Sequence, residues 1–181
     1  MSANEFRKKE MNELQRLSID DAKAKYTFPI TIVLDNVRSM HNVGSVFRTA
    51  DSFGLAEIIL CGFSPCPPHR EIHKTALGAT ETVQWHYSAA VNDTLLQLKA
   101  QGYTIIAAEQ VHNSISLEKI DYKTTDKIAV VFGNEVEGVS DTALAYCDQV
   151  VEIPQFGAKH SLNISVSVGI IIWELIRKFN Q

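Results

Sequence analysis

Short, β-branched apolar runs that alternate with helix-length segments restrict the fold of this chain more than any other feature. Residues 30–34 are a short β-branched run and 128–132 an uninterrupted apolar stretch, both of strand length and of the kind buried within a parallel sheet. Between them, residues 43–53 have helical spacing and stop at Gly54, a residue suited to the left-handed position after a helix. Residues 57–60, 82–87 and 103–108 read as strands, and Ser88 is placed to cap a helix running to Gln101. The proline-rich stretch 64–70 reads as a loop. After residue 132 come a glycine-bracketed turn from Gly133 to Gly138, a short helix behind Ser140 and a strand at 150–153. A loop at 154–160 then leads to a final apolar helix opened by Ser161 and running to Phe179. This alternation predicts an α/β domain with a mostly parallel sheet and helices on both faces.

A chain of 181 residues, 45% hydrophobic, buries one core and is too short for two ordinary domains. We divide it into an N-terminal extension, 1–28, holding an amphipathic helix over 4–25, and the α/β domain, 29–181. The first nine residues are polar and charged, and no apolar run reaches membrane-spanning length, so a cytoplasmic protein without a membrane partner is expected. Cys61, Cys66 and Cys147 are odd in number and lack C-x-x-C spacing, which predicts reduced thiols and no metal. A net charge of −4 is unfavourable for binding a phosphate backbone. The distribution matters more: Arg38, His41, Arg48, His69, Arg70, His73, Lys74, Lys159 and His160 fall in or beside three turn-like segments, where positive potential can gather locally.

Parallel sheets bind ligands beyond the carboxyl ends of their strands, so the segments after residues 34, 132 and 153 are where chemistry belongs. Neither a G-x-G-x-x-G after the first strand nor a G-x-x-x-x-G-K-[ST] occurs, which excludes the common dinucleotide and P-loop readings. Instead the first segment carries Asn42, able to cap a helix, Gly44 and Arg48. The second places Glu135 and Glu137 in a tight turn. The third starts its helix with Ser161, Asn163, Ser165 and Ser167, polar groups that sit poorly in an apolar stripe and could present hydroxyls, an amide and free N–H groups to a ligand. Each segment alone is compatible with ordinary capping and solvation.

Together, the segments Asn42-x-Gly44-x-x-x-Arg48-Thr49-Ala50, Gly133-x-Glu135-x-x-Gly138 and Ile153-Pro154-x-x-Gly157-x-x-x-Ser161-Leu162-Asn163-Ile164-Ser165 resemble the three motifs of the SpoU/TrmH family of SPOUT RNA methyltransferases. The stretch from Lys74 to Ala79 is similar, more weakly, to that family's connecting segment. The resemblance implies a C-terminal trefoil knot, S-adenosylmethionine as cofactor, RNA as partner with no role for DNA, and a homodimer whose interface builds the active site. It implies catalytic roles for Arg48, Asn42, Glu135, Ser161 and Asn163, and cofactor contacts at Gly133, Ile153 and Leu162, with a further one near Ala108.

The implied reaction is methyl transfer to a ribose 2′-hydroxyl of structured RNA, with transfer RNA favoured over ribosomal RNA because only a short extension precedes the domain. Positioning the 2′-oxygen and stabilising its nascent charge supply most of such a rate enhancement. The resemblance leaves two roles for Arg48, a base activated by its site or a permanent cation facing the oxyanion, with Glu135 orienting it; guanidinium groups resist deprotonation. Two alternatives stay open at this level: a base-directed methyltransferase of the same fold, and a non-catalytic RNA-binding or assembly protein. The final helix, with Ile170, Ile171, Ile172, Trp173 and Leu175 nearly encircling it, is expected at the dimer interface.

Overall fold

The computed structural model describes residues 6–10, 13, 18–21, 28–123, 126–158 and 161–179. The helix expected over 4–25 falls largely outside these residues, as do Lys159 and His160. In chain order the domain contains β1 (Phe28–Asp35), α1 (Met40–Phe53), β2 (Leu55–Cys61), α2 (Arg70–Ala76), α3 (Ala79–Thr82), β3 (Gln84–Ser88), α4 (Val91–Ala100) and β4 (Tyr103–Ala108). It continues with β5 (Ile115–Ser116), β6 (Lys127–Phe132), α5 (Asp141–Leu144), β7 (Gln149–Glu152) and α6 (Ile164–Phe179).

The seven strands form one sheet in the order β3-β2-β1-β6-β4-β7-β5, and every pairing is parallel. From β1 the chain builds outward to β3, then returns to lay β4 on the other side, and β6 inserts between β1 and β4 with Val33 opposite Val131. The order therefore reverses at β6, and the crevice beyond that point is where such sheets bind ligands.

Alternation along the strands divides the core. Ile30, Ile32 and Leu34 of β1 face α1 and α6, packing with Phe47, Val168 and Ile172, all fully buried. Val33 and Val131 point the other way, against Leu95 of α4 and Ala143 of α5. Both faces of β1 are thus covered, which is why its sequence does not alternate apolar with exposed polar residues, and its polar Thr31 and Asp35 are themselves buried. Helices lie on both faces, as the sequence pattern requires.

Three helix starts differ from the sequence reading. Ser39, not Asn42, caps α1: its Oγ accepts the N–H of Asn42 at 3.2 Å, which places Asn42 inside the first turn. α4 starts from Ala90 with no side-chain cap, while Ser88 Oγ donates to the Ala90 carbonyl. α6 begins at Ile164 rather than Ser161, because the Asn163 carbonyl accepts the N–H groups of Val166 and Ser167 and its Oδ1 accepts that of Ser165. Gly54 ends α1 in the left-handed conformation and Ser140 caps α5, both as the sequence indicates. Helices α2 and α3 and the two-residue strand β5 escaped the sequence reading, and Thr82 belongs to α3 rather than to β3.

Candidate active site

The loops after β1 and β6 are tied to each other at several points. Asp35, almost fully buried at the end of β1, accepts the N–H of Ser140 at 2.9 Å. Asn134 Nδ2 donates to the Asn36 carbonyl at 2.8 Å, and its Oδ1 accepts the N–H groups of Val136 and Glu137, closing the turn. Gly133 is required for space: a Cβ there would lie 2.0 Å from the carbonyl carbon of Gly138. Glu109, just past β4, accepts the N–H of Val139 at 2.9 Å, joining a third strand end to the same turn. Asp35, Asn134 and Glu109 were absent from the sequence-based site. Their only signal was their position at strand ends.

This framework fixes Glu135. Its carboxylate accepts the backbone N–H groups of Arg38 and Ser39 at 2.9 and 3.0 Å and the side-chain amide of Asn42 at 2.8 Å, so it closes the N-terminus of α1 together with Ser39. Partial burial opposes its ionisation, but the N–H donors of Arg38, Asn42 and Ser39 outweigh that and hold the carboxyl below its usual range. A carboxylate only accepts, so Asn42 must present Nδ2 to Glu135 and leave Oδ1 free, and Asn163 Nδ2 donates to that oxygen at 3.2 Å. Asn163 Oδ1 in turn accepts the N–H and Oγ–H of Ser165. One polarised chain of hydrogen bonds, running from Ser165 through Asn163 and Asn42 to Glu135, connects all three sequence motifs.

Beside this chain, a cavity of about 450 Å³ opens at the carboxyl ends of β6, β4 and β7. Its size falls within the range of roughly 300–1,000 Å³ common to cofactor sites. Ala108, Gly133, Ile153 and Leu162 all line it, as do Glu135, Ser161 and Asn163. Phe132, Val151 and Ile171 supply apolar wall, and Glu109, Glu137 and Glu152 supply carboxylates, whereas no lysine or arginine is among the described residues that line it. Such a lining repels polyphosphates and suits a ligand with a flat apolar part, hydroxyl donors and positive charge. S-adenosylmethionine, with adenine, a ribose diol, a sulfonium and an ammonium, fits that donor set.

Arg48 is elsewhere. It is exposed on α1 and lines a second recess with Ser45, Thr49, Lys74, Ser165 and Gly169. Among the described residues it makes no hydrogen bond to Glu135, whose acceptors are occupied by Arg38, Ser39 and Asn42; the orientation of Arg48 by Glu135 that the resemblance suggested is not seen within one chain. The two recesses adjoin across the first turn of α6, where Ser165 contributes to both the hydrogen-bond chain and the Arg48 recess. Thr75 holds α2 against α1 by donating to the His41 carbonyl at 3.0 Å, and Gly44 allows that approach, since a Cβ would meet Thr75 Oγ1 at 2.1 Å.

The cysteines take no part in this arrangement. Burial, opposed by a hydrogen bond from Thr94 and reinforced by Asp35, pushes the Cys61 thiol up to about 11, so it is a packed, protonated thiol rather than a nucleophile. No group of three or more His, Cys, Asp or Glu among the described residues is placed to hold a metal ion, and no helix there is long and apolar enough to cross a membrane.

Comparison with known proteins places the chain in a family. The chain is 33% identical over 174 residues to the 23S rRNA (guanosine-2'-O-)-methyltransferase RlmB of Vibrio vulnificus, an alignment covering 95% of this chain and 68% of that protein. Among solved structures, a TrmH/SpoU tRNA modifying enzyme of A. aeolicus superposes with a TM-score of 0.79 at 25% identity, covering 90% of this chain and 82% of the other. An AdoMet-bound rRNA methyltransferase from Sinorhizobium meliloti matches with a TM-score of 0.77 at 29% identity, covering 82% of this chain and 56% of the other. Residues 29–173, which carry the sheet, the cross-tied loops and most of α6, match the model of one family, and the chain belongs to the SpoU rRNA Methylase family.

Proposed function

We propose that this protein transfers a methyl group from S-adenosylmethionine to a ribose 2′-hydroxyl of RNA. The observation that carries the reading is the cavity on which Ala108, Gly133, Ile153 and Leu162 converge, walled by carboxylates among the described residues and set against the Glu135–Asn42–Asn163 chain. Those four residues would hold the cofactor. When bound, it supplies an electrophilic methyl group on a positively charged sulfur.

The chain's own groups then have separable tasks. Glu135 and Asn42 hold the N-terminus of α1, Asn163 joins it to α6, and Ser161 lies at the cavity wall beside them. A guanidinium keeps its charge at physiological pH, so Arg48 acts as a fixed cation that stabilises the developing 2′-alkoxide and contacts the neighbouring phosphate. The proton of the hydroxyl leaves to solvent.

Because Arg48 opens on a separate recess, the reading includes a homodimer in which Arg48 of one copy serves the cavity of the other. Supporting it, Val166, Ile170 and Trp173 form an exposed apolar stripe along α6, adjoining the Arg48 recess at Ser165 and Gly169. Ile171, Ile172 and Leu175, expected at the interface from sequence, are instead buried within the chain's own core. Both ribosomal and transfer RNA are candidate substrates, and the guanosine named for the Vibrio relative makes a guanosine ribose the first target to examine.

The test is transfer of label from methyl-tritiated S-adenosylmethionine to total RNA, followed by alkaline hydrolysis. Ribose methylation leaves label in alkali-stable dinucleotides, because the blocked 2′-oxygen cannot cleave the chain. Label in mononucleotides would show base methylation, and absence of transfer would contradict the proposal.

A further inference from the structure

We propose that Phe63 and Arg38 form a stacking platform for an unpaired nucleobase of the RNA substrate, beside the nucleotide that receives the methyl group; this rests on the RNA-directed reading above. Phe63 is 58% exposed and packs into neither face of the core, so its ring contributes little to holding the fold. Its backbone, by contrast, is fixed. The Phe63 N–H donates to Asn36 Oδ1 at 3.2 Å, the Gly62 N–H to the Ser88 carbonyl at 3.0 Å, and the Ser64 N–H to the Cys61 carbonyl at 3.1 Å. Ser64, almost fully buried, donates its hydroxyl to the Leu34 carbonyl and accepts the Val37 N–H. Gly62 takes the left-handed conformation with Asn36 Oδ1 where a Cβ would lie, at 2.0 Å, so the loop is built around this turn.

Arg38 is held with equal economy of motion. Its backbone N–H is bound by Glu135, a residue of the cavity wall, and its guanidinium carbon lies 5.9 Å from the centroid of the Phe63 ring. An aromatic ring on a fixed backbone with a guanidinium over it, one hydrogen bond from Glu135 of the cavity wall, is the equipment by which proteins grip splayed-out bases of single-stranded RNA. The ring supplies a face for any base, and Arg38 adds a planar cation that stacks or reaches the adjoining phosphate. In a loop or bulge of structured RNA the bases flanking the target ribose are unstacked, and such a base gains a surface to rest on. In a chain with net charge −4, where 21 acidic residues outnumber 17 lysines and arginines, a neutral aromatic face strengthens RNA binding without relying on charge.

The test measures RNA affinity and steady-state methyl transfer for full-length Phe63→Ala, Phe63→Leu, Phe63→Trp and Arg38→Ala, using the RNA that the wild-type protein labels. Loss of stacking on one base should weaken RNA binding about 5- to 150-fold, equivalent to ~1–3 kcal/mol at 1.4 kcal/mol per tenfold. Phe63→Ala and Phe63→Leu should raise KM for RNA by that factor, with affinity for S-adenosylmethionine unchanged, and Phe63→Trp should restore it. Arg38→Ala leaves the backbone N–H to Glu135 in place, so it should weaken RNA binding and lower the salt dependence by about one counterion. The discriminating readout is aromatic rescue, since leucine matches the ring's apolarity but offers no π-face. If the leucine and alanine variants bind and methylate RNA like wild type, the platform is refuted while the proposed function stands. If wild-type protein neither binds nor methylates RNA, both fail.

Discussion

The side-chain amide of Asn163 donates to Oδ1 of Asn42 at 3.2 Å, joining the cap of α6 to the first turn of α1 across 121 residues of sequence. Asn163 thereby does two things at once, since its Oδ1 also accepts the N–H of Ser165 and starts the helix. Substitution can separate them. Asn163→Asp retains the oxygen that caps α6 but loses the donor to Asn42, so thermal stability should stay close to wild type while turnover falls. Asn163→Ala loses both and should also cost about 1 kcal/mol in stability. Equal turnover in wild type and Asn163→Asp would show that the link to Asn42 has no part in the reaction.

Glu135 gives a prediction in pH. Its carboxyl is held below the ordinary value of 4.5, where burial is outweighed by donors from Arg38, Asn42 and Ser39. A depressed folded-state value means that the stabilisation is present above the unfolded value and disappears as pH falls through the folded one. The difference in melting temperature between wild type and Glu135→Gln should therefore be constant near neutrality and shrink below about pH 4.5. A difference that grows on acidification would contradict the assignment.

Gly133→Ala should damage the turn itself. The added Cβ would meet the backbone of Gly138 and Val139 at 2.0 and 2.1 Å, atoms that cannot swing aside as a side chain would. Overpacking of this kind costs ~1–3 kcal/mol, or roughly 2–12 °C in melting temperature for a chain of this size. Differential scanning fluorimetry with and without S-adenosylmethionine should show a lower midpoint and a smaller shift on adding cofactor. An unchanged shift would place the cofactor away from this turn.

For the assembly, Trp173→Glu and Ile170→Glu place charge on the exposed stripe of α6 without entering the chain's own core. Multi-angle light scattering should report a dimer for wild type and a shift towards monomer for both variants, with methyl transfer lost in proportion. Full activity from a monomer would exclude the exchange of Arg48 between copies.

Most of the sheet was legible because β1, β4 and β6 are buried on both faces, and continuous runs such as 128–132 have no other economical use. Gly54 and Ser140 announced their helix boundaries for the same local reason. Two of the misread caps are choices between competent neighbours. Ser39 and Asn42 are both competent at a helix start, and what decides between them is Glu135, ninety-three residues from Asn42, which takes the Asn42 amide for itself. Ser161 and Asn163 pose the same ambiguity, resolved by Asn163 closing its own turn. α2 and β5 are too short for periodicity to register, and their places depend on partners such as His41 and Val151. The site positions emerged from motif resemblance, whereas Asp35, Asn134 and Glu109, which hold those motifs together, became visible only once the strand ends were brought side by side.

The most direct test of the central claim is nucleoside mass spectrometry of RNA incubated with S-adenosylmethionine and either wild-type protein or Arg48→Ala. Oxyanion stabilisers of this kind contribute on the order of 10²–10³ in rate, so wild type should generate a 2′-O-methylated nucleoside and the variant almost none, although it binds cofactor normally. Arg48→Lys should rescue poorly, because an ammonium lacks the planar fork needed to meet ribose oxygen and phosphate together. Equal 2′-O-methylation by wild type and Arg48→Ala, at equal cofactor affinity, would contradict the account of how the reaction is catalysed, and a methylated base in place of a methylated ribose would contradict the account of what the reaction is.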